Sequence, residues 1–162
     1  MQTAICPGSF DPITLGHLDV IRRASAMFDR VVVCVVYNAN KHGFFSLEER
    51  EEQVRRVTAE FPNVEVCSWG GLLVEYADRF EQPVVVRGLR ALSDFEYEFQ
   101  MALTNKKLNP RVETIFLASD ERYTYLSSSM VKEIAGFGGD VSRFVPETIL
   151  ADMKRKMNGR NE

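Results

Sequence analysis

Five short apolar runs, rich in valine and isoleucine, recur along this chain with amphipathic stretches between them, and that alternation limits the fold more than any other feature. The runs are residues 3–6, 30–37, 64–67, 84–87 and 114–118. All but the third are nearly unbroken, the mark of parallel strands covered on both faces. Between them lie segments with helical starts. Residues 17–28 carry Leu18, Ile21, Ala24 and Phe28 on one face. Ser46-Leu47-Glu48-Glu49 and Ser93-Asp94-Phe95-Glu96 read as capping boxes, each opening a helix of about fifteen residues. A helix is expected over 71–80. The serines Ser127, Ser128 and Ser129 precede a short helix ending at Gly136, and Pro146 suits the first position of a last helix. Strand–helix alternation over five strands predicts an α/β fold: a doubly wound, Rossmann-like five-stranded parallel sheet with helices on both faces. With 162 residues, no repeat and no linker, one domain over 1–162 is expected, large enough for a core without staples.

Composition narrows the function classes. A net charge of −3 argues against a general nucleic-acid binder, which would show a strongly basic face. No apolar run approaches the roughly 20 residues of a membrane span. The N-terminus lacks the basic start and apolar run of a signal peptide, so a cytoplasmic location is expected. Cys6, Cys34 and Cys67 sit in or beside apolar runs without metal-type spacing, where reduced cysteine acts as a small hydrophobe.

In a doubly wound sheet, ligands bind outside the carboxyl ends of the strands. The residues following the five runs are Pro7 to His17, Asn38 to Lys41, Gly70 to Leu73, Arg87 to Arg90 and Ser119 to Ser129. They bring glycine, hydroxyl and cationic groups to one edge, a composition suited to a polyanion. Gly8 and Gly16 let the backbone approach a phosphate. His17 and Ser129 would stand at helix N-termini, where exposed N–H groups favour anions. Lys41, Arg87 and Arg90 supply charge, the arginines with forked donors that match phosphate oxygens. Each feature alone is ordinary; their convergence on one edge is what counts. No G-x-x-x-x-G-K-[ST] loop is present, and Gly136-Phe137-Gly138-Gly139 follows a helix rather than opening one, so it reads as a C-cap and not a dinucleotide fingerprint.

Gly8-Ser9-Phe10-Asp11-Pro12 followed by Gly16-His17 resembles the signature shared by nucleotidyltransferases and class I aminoacyl-tRNA synthetases. Most of that superfamily carries H-x-G-H; here Thr14-Leu15-Gly16-His17 gives the T-x-G-H variant typical of phosphopantetheine adenylyltransferases. The blocks Arg87-Gly88-Leu89-Arg90-Ala91, Asp94-Phe95-Glu96-Tyr97-Glu98 and Ser127 to Glu133 follow at that family's spacing. The resemblance implies transfer of the adenylyl group of ATP to 4′-phosphopantetheine. It implies catalytic roles for His17, Lys41 and Arg90. ATP contacts are implied for Ser9, Phe10, His17, Gly88, Leu89, Arg90, Glu98, Tyr123, Thr124, Tyr125, Leu126, Ser127, Ser128 and Ser129. Ser9, Lys41, Leu73 and Arg87 are implied for phosphopantetheine. Magnesium is expected to be held through ATP phosphates, with no dedicated protein ligands. A homohexamer and feedback by coenzyme A in the same pocket are implied as well. The alternatives are another small-molecule nucleotidyltransferase of this fold, or a nucleotide-binding regulator that has lost catalysis. Departures from the family pattern are Ser9 for threonine, Tyr123-Thr124-Tyr125-Leu126 in place of W/Y-S-F-I, and Thr104 where methionine is common, expected to alter packing around the pantetheine arm.

Overall fold

Valine- and isoleucine-rich runs form the expected sheet. In the computed structural model, residues 1–90 and 92–160 are described, without the side chains of residues 92 and 93. The strands are β1 (Thr3–Gly8), β2 (Arg30–Val36), β3 (Val64–Trp69), β4 (Pro83–Leu89) and β5 (Glu113–Ala118). The helices are α1 (Leu15–Met27), α2 (Leu47–Thr58), α3 (Leu73–Ala77), α4 (Leu92–Leu108), α5 (Ser128–Gly136) and α6 (Glu147–Gly159). All strand pairs are parallel, in the order β3-β2-β1-β4-β5. Chain order reverses between β1 and β4, so the crevice for a ligand opens where those two strands end.

Alternation along the central strands builds two cores. Ala4, Cys6, Val31, Val33, Val35, Val84 and Val86 face one side and pack with Ile21, Val54, Val131, Ile149 and Met153. Ile5, Val32, Cys34 and Val85 face the other, against Val74, Tyr76 and Ala77 of α3. Each fully buried aliphatic side chain contributes about 1.5–3 kcal/mol, so these strands hold the sheet whatever the surrounding loops do.

Four sequence expectations need adjustment. The fifth run is an edge strand with Glu113, Ile115 and Ala118 exposed, because among the described residues no strand pairs its outer side and helices cover it only in part. The helix expected over 71–80 shrinks to five residues. Past Ala77 the N–H groups of Arg79 and Phe80 bond back only three residues, a tightened turn that ends it. Pro146 caps α6 from outside rather than opening it. The cap expected at Ser93 falls on a side chain outside the described residues, with α4 already begun at Leu92. The C-cap reading of the glycine cluster holds: Gly139 N–H donates to Ile134 O and Gly138 N–H to Ala135 O, a Schellman motif with Gly138 at φ 78°.

Candidate active site

Two adjoining cavities open at the reversal point between β1 and β4. The smaller, about 310 Å³, lies over Gly8 to Phe10, His17, Arg87, Gly88, Arg90 and the start of α5. The larger, about 780 Å³, extends toward Lys41, Leu73 and the α4 residues Met101 and Ala102. Ser9, Arg87, Glu98, Ser128 and Ser129 belong to both walls. A ligand in one cavity therefore meets a ligand in the other at this shared wall.

The loop after β1 sets the geometry. Phe10 takes φ 49°, a left-handed conformation unusual for a bulky residue, and its ring is buried beneath Gly8. A Cβ on Gly8 would lie 3.0 Å from that ring, so only glycine leaves both the turn and the ring in place. The Phe10 ring meets the imidazole of His17 edge-on at 5.1 Å.

His17 sits in the first turn of α1 and is fixed by Thr14. The Thr14 hydroxyl accepts the His17 backbone N–H at 3.3 Å, while the Thr14 backbone N–H donates to His17 Nδ1 at 3.0 Å. This is a capping box with histidine in the place usually taken by a glutamate. Because Nδ1 accepts, the neutral ring carries its proton on Nε2, which remains as its donor. Burial lowers the His17 pKa to about 4, and the nearby positive charges of Arg87 and Arg90 push the same way. At neutral pH His17 is an uncharged hydrogen-bond donor, oriented in advance.

The two arginines are held rather than loose. Arg87 donates from Nε and Nη2 to the Glu98 carboxylate at 2.8 and 2.7 Å, and from Nη1 to Pro7 O at 2.9 Å. Burial disfavours its charge, but the paired carboxylate outweighs this and its pKa rises. Arg90 donates to Asp94 at 2.9 Å and to Leu126 O at 2.6 Å. Among the described residues no carboxylate pairs with Lys41. Its ammonium stands exposed on the wall of the larger cavity, on a turn made by Asn38.

The remaining residues divide by place. Ser9, Phe10, His17, Gly88, Arg90, Glu98, Tyr123, Leu126, Ser127, Ser128 and Ser129 line the smaller cavity; Lys41 and Leu73 line only the larger. Leu89, Thr124 and Tyr125 line neither: Tyr125 points its exposed ring against Phe144, and Thr124 donates to Asp120 O. Thr104 lines neither as well; its hydroxyl donates to Gln100 O on α4, one turn from the cavity residues Met101 and Leu108. Ser127 caps α5 by accepting the Met130 N–H, and the backbone of Ser128 and Ser129 forms its first turn. Sequence reasoning missed Thr14, Asp11, Arg50 and Lys132. Arg50 donates to Ser9 O at 2.9 Å, holding the loop from beneath. Only its place on the buried face of α2 hinted at this.

Chemically the site is a cradle for two phosphorylated ligands: one neutral donor, the cations Lys41, Arg50, Arg87, Arg90 and Lys132, and a helix N-terminus, with no nucleophile poised beside a base among the described residues. Its carboxylates Asp94 and Glu98 are already committed to Arg90 and Arg87.

Comparison with known proteins agrees. Residues 5–134 match the cytidylyltransferase-like family. A phosphopantetheine adenylyltransferase of Clostridium tetani is 54% identical over 99% of this chain and 100% of its own. Another, of Caldanaerobacter subterraneus subsp. tengcongensis, is 54% identical over 96% of this chain and 98% of its own. One of Clostridium botulinum is 49% identical over 100% of this chain and 99% of its own. A crystal structure described as a nicotinate-nucleotide adenylyltransferase from Vibrio parahaemolyticus superposes with a TM-score of 0.69 at 18% identity, covering 94% of this chain and 90% of that one, a likeness of fold.

Proposed function

The chain belongs to the cytidylyltransferase-like family, among its phosphopantetheine adenylyltransferases, and from that premise we propose how its two cavities divide the reaction. The enzyme transfers the adenylyl group of ATP to 4′-phosphopantetheine, giving dephospho-coenzyme A and pyrophosphate in coenzyme A synthesis. ATP takes the smaller cavity and phosphopantetheine the larger. The observation that carries this division is the shared wall of Ser9, Arg87, Ser128 and Ser129, where the two phosphates would meet.

An oxygen of the phosphopantetheine phosphate attacks the α-phosphorus of ATP as the bond to the β-phosphate oxygen breaks, and pyrophosphate leaves. The attacking group is already anionic, so no covalent enzyme intermediate is needed. Catalysis rests on alignment and on donors aimed at the charge that shifts. Lys41, free of a protein carboxylate, bridges the attacking and transferred phosphates. His17 Nε2–H and Arg90 serve the transferred and leaving phosphates. Arg87, clamped by Glu98, presents its remaining N–H groups to both. Magnesium fits here as an ion carried by the triphosphate, since Asp94 and Glu98 are already paired; bound with ATP, it would offset phosphate charge.

The same reading extends outward. Coenzyme A shares the pantetheine arm and would compete in the larger cavity, giving feedback. Phe95, Phe99 and Leu103 of α4 and Ile115 of β5 are exposed apolar side chains suited to the contacts of a homohexamer. Among the described residues no helix is long and apolar enough to cross a membrane, and a cytoplasmic location remains part of this reading. The division of the cavities predicts a split in kinetics. Lys41→Ala is expected to lower kcat and raise KM for phosphopantetheine, and Arg90→Ala to act mainly on ATP, each by about tenfold or more per lost charged contact. Steady-state measurements with each substrate varied in turn check this, and equal effects on both substrates would contradict the division.

A further inference from the structure

Lys41 lies on the loop between β2 and α2, and one buried side chain ties that loop to the rest of the site. Asp11 follows the strained Phe10 turn and is 7% exposed. Its Oδ2 accepts the Phe44 N–H and its Oδ1 the Phe45 N–H, both at 2.8 Å across more than thirty residues of chain. Two consecutive backbone donors on one carboxylate make a charge-assisted bidentate tie, among the stronger hydrogen-bond arrangements. Gly43 permits the approach: a Cβ there would lie 2.8 Å from Phe45 O and 2.9 Å from Asp11 Oδ2. On the other side, Lys132 of α5 reaches Asp11 Oδ2 at 3.4 Å, and Ser128 Oγ donates to the neighbouring Pro12 O at 2.8 Å.

The segment Asp11-Pro12 thus lies between the α5 start, on the ATP side, and the loop that carries Lys41 toward phosphopantetheine. Asp11 edges the larger cavity, but both its oxygens are engaged by the backbone donors of Phe44 and Phe45 and by Lys132, so the mechanism gives it no contact with substrate. We propose that Asp11 is a positioning residue, which anchors the 43–45 segment to the α5 end of the site and so sets where the Lys41 ammonium stands relative to the reacting phosphates. This rests on the role given above to Lys41. The tie joins the two substrate cavities by a short chain of contacts and, with the buried Phe45 ring, holds this end of the loop before either ligand arrives.

The test is a double-mutant cycle on the full-length enzyme. Asp11→Asn replaces one acceptor oxygen by a donor that opposes a backbone N–H. It is expected to lower kcat by about tenfold to a hundredfold, the scale of a displaced catalytic group, with ATP affinity by titration calorimetry nearly unchanged. Combined with Lys41→Ala, it is expected to add little beyond the loss from Lys41→Ala alone, because both remove the same contribution. Gly43→Ala strains the same junction while leaving the carboxylate, and should give the same phenotype if Asp11→Asn does not fold. Losses that multiply in the double variant, or wild-type turnover in folded Asp11→Asn and Gly43→Ala enzymes, would overturn the proposal. An unimpaired Lys41→Ala enzyme would instead overturn the role of Lys41 from which it starts.

Discussion

At the scale of single residues, His17 shows how a fold prepares a donor. Thr14 occupies Nδ1, and burial with two neighbouring guanidinium groups holds the ring neutral, so Nε2–H points outward without any protonation step. In the free enzyme one of only two histidines should therefore remain neutral down to about pH 4, which a proton NMR titration of the ring Cε1–H signals reads directly. The sign for stability follows. The unfolded chain binds this proton below about pH 6.5 and the folded chain does not until about pH 4, so His17 lowers stability progressively as pH falls through that window. His17→Ala is expected to cut turnover by about a hundredfold or more, the scale for a lost transition-state donor, and His17→Gln, which keeps an N–H near the Nε2 position, by less. His17 itself was legible in the sequence because it falls with Lys41, Arg87 and Arg90 at one sheet edge and closes the T-x-G-H block; a histidine at a helix start would be ordinary alone. Thr14 and Asp11 were not. Thr14 stood out only as the replacement for the first histidine of the signature, with no role of its own, and the partners of Asp11 lie more than thirty residues away, where no local pattern points.

At the scale of elements, the central strands could be read almost to their ends, because Val31 to Val35 and Val84 to Val86 are apolar on both faces and only a sheet between helix layers buries them. The edges were less legible. The fifth run has the same composition as a central strand, yet its place at the sheet edge, with Ile115 exposed, follows from pairing order and not from its residues. The third helix stops early at the tightened turn past Ala77, where Arg79 and Phe80 bond back three residues and no residue in the local pattern marks the end. Resemblance also carried Leu89, Thr124 and Tyr125 into the site; none lines either cavity, Leu89 ending β4, Thr124 bonding Asp120 O and Tyr125 packing on Phe144. The Schellman motif closing α5 offers a test at this scale. Gly138→Ala places a Cβ at φ 78° and is expected to lower stability by about 1 kcal/mol with turnover unchanged, as read by urea unfolding and a rate assay. An unaltered midpoint would show that the cap is not maintained by left-handed geometry.

For the molecule as a whole, one end of the sheet is polar and concave while the α4 and β5 flank is apolar and exposed. The first accounts for chemistry on two anions; the second suits contact with further copies. Sedimentation velocity is expected to give a hexamer, and Leu103→Lys, which puts a charge on that flank outside both cavities, to shift it to smaller species. A monomer in the unaltered protein would remove self-association from the account. The central claim is adenylyl transfer to phosphopantetheine across the wall shared by two cavities. Its most direct test is pyrophosphate release from ATP and magnesium, with and without 4′-phosphopantetheine, with the nucleotide product identified by mass spectrometry. The account predicts release only when phosphopantetheine is present, with dephospho-coenzyme A formed in equal amount. Release independent of phosphopantetheine, or none at all while ATP still binds, would contradict it.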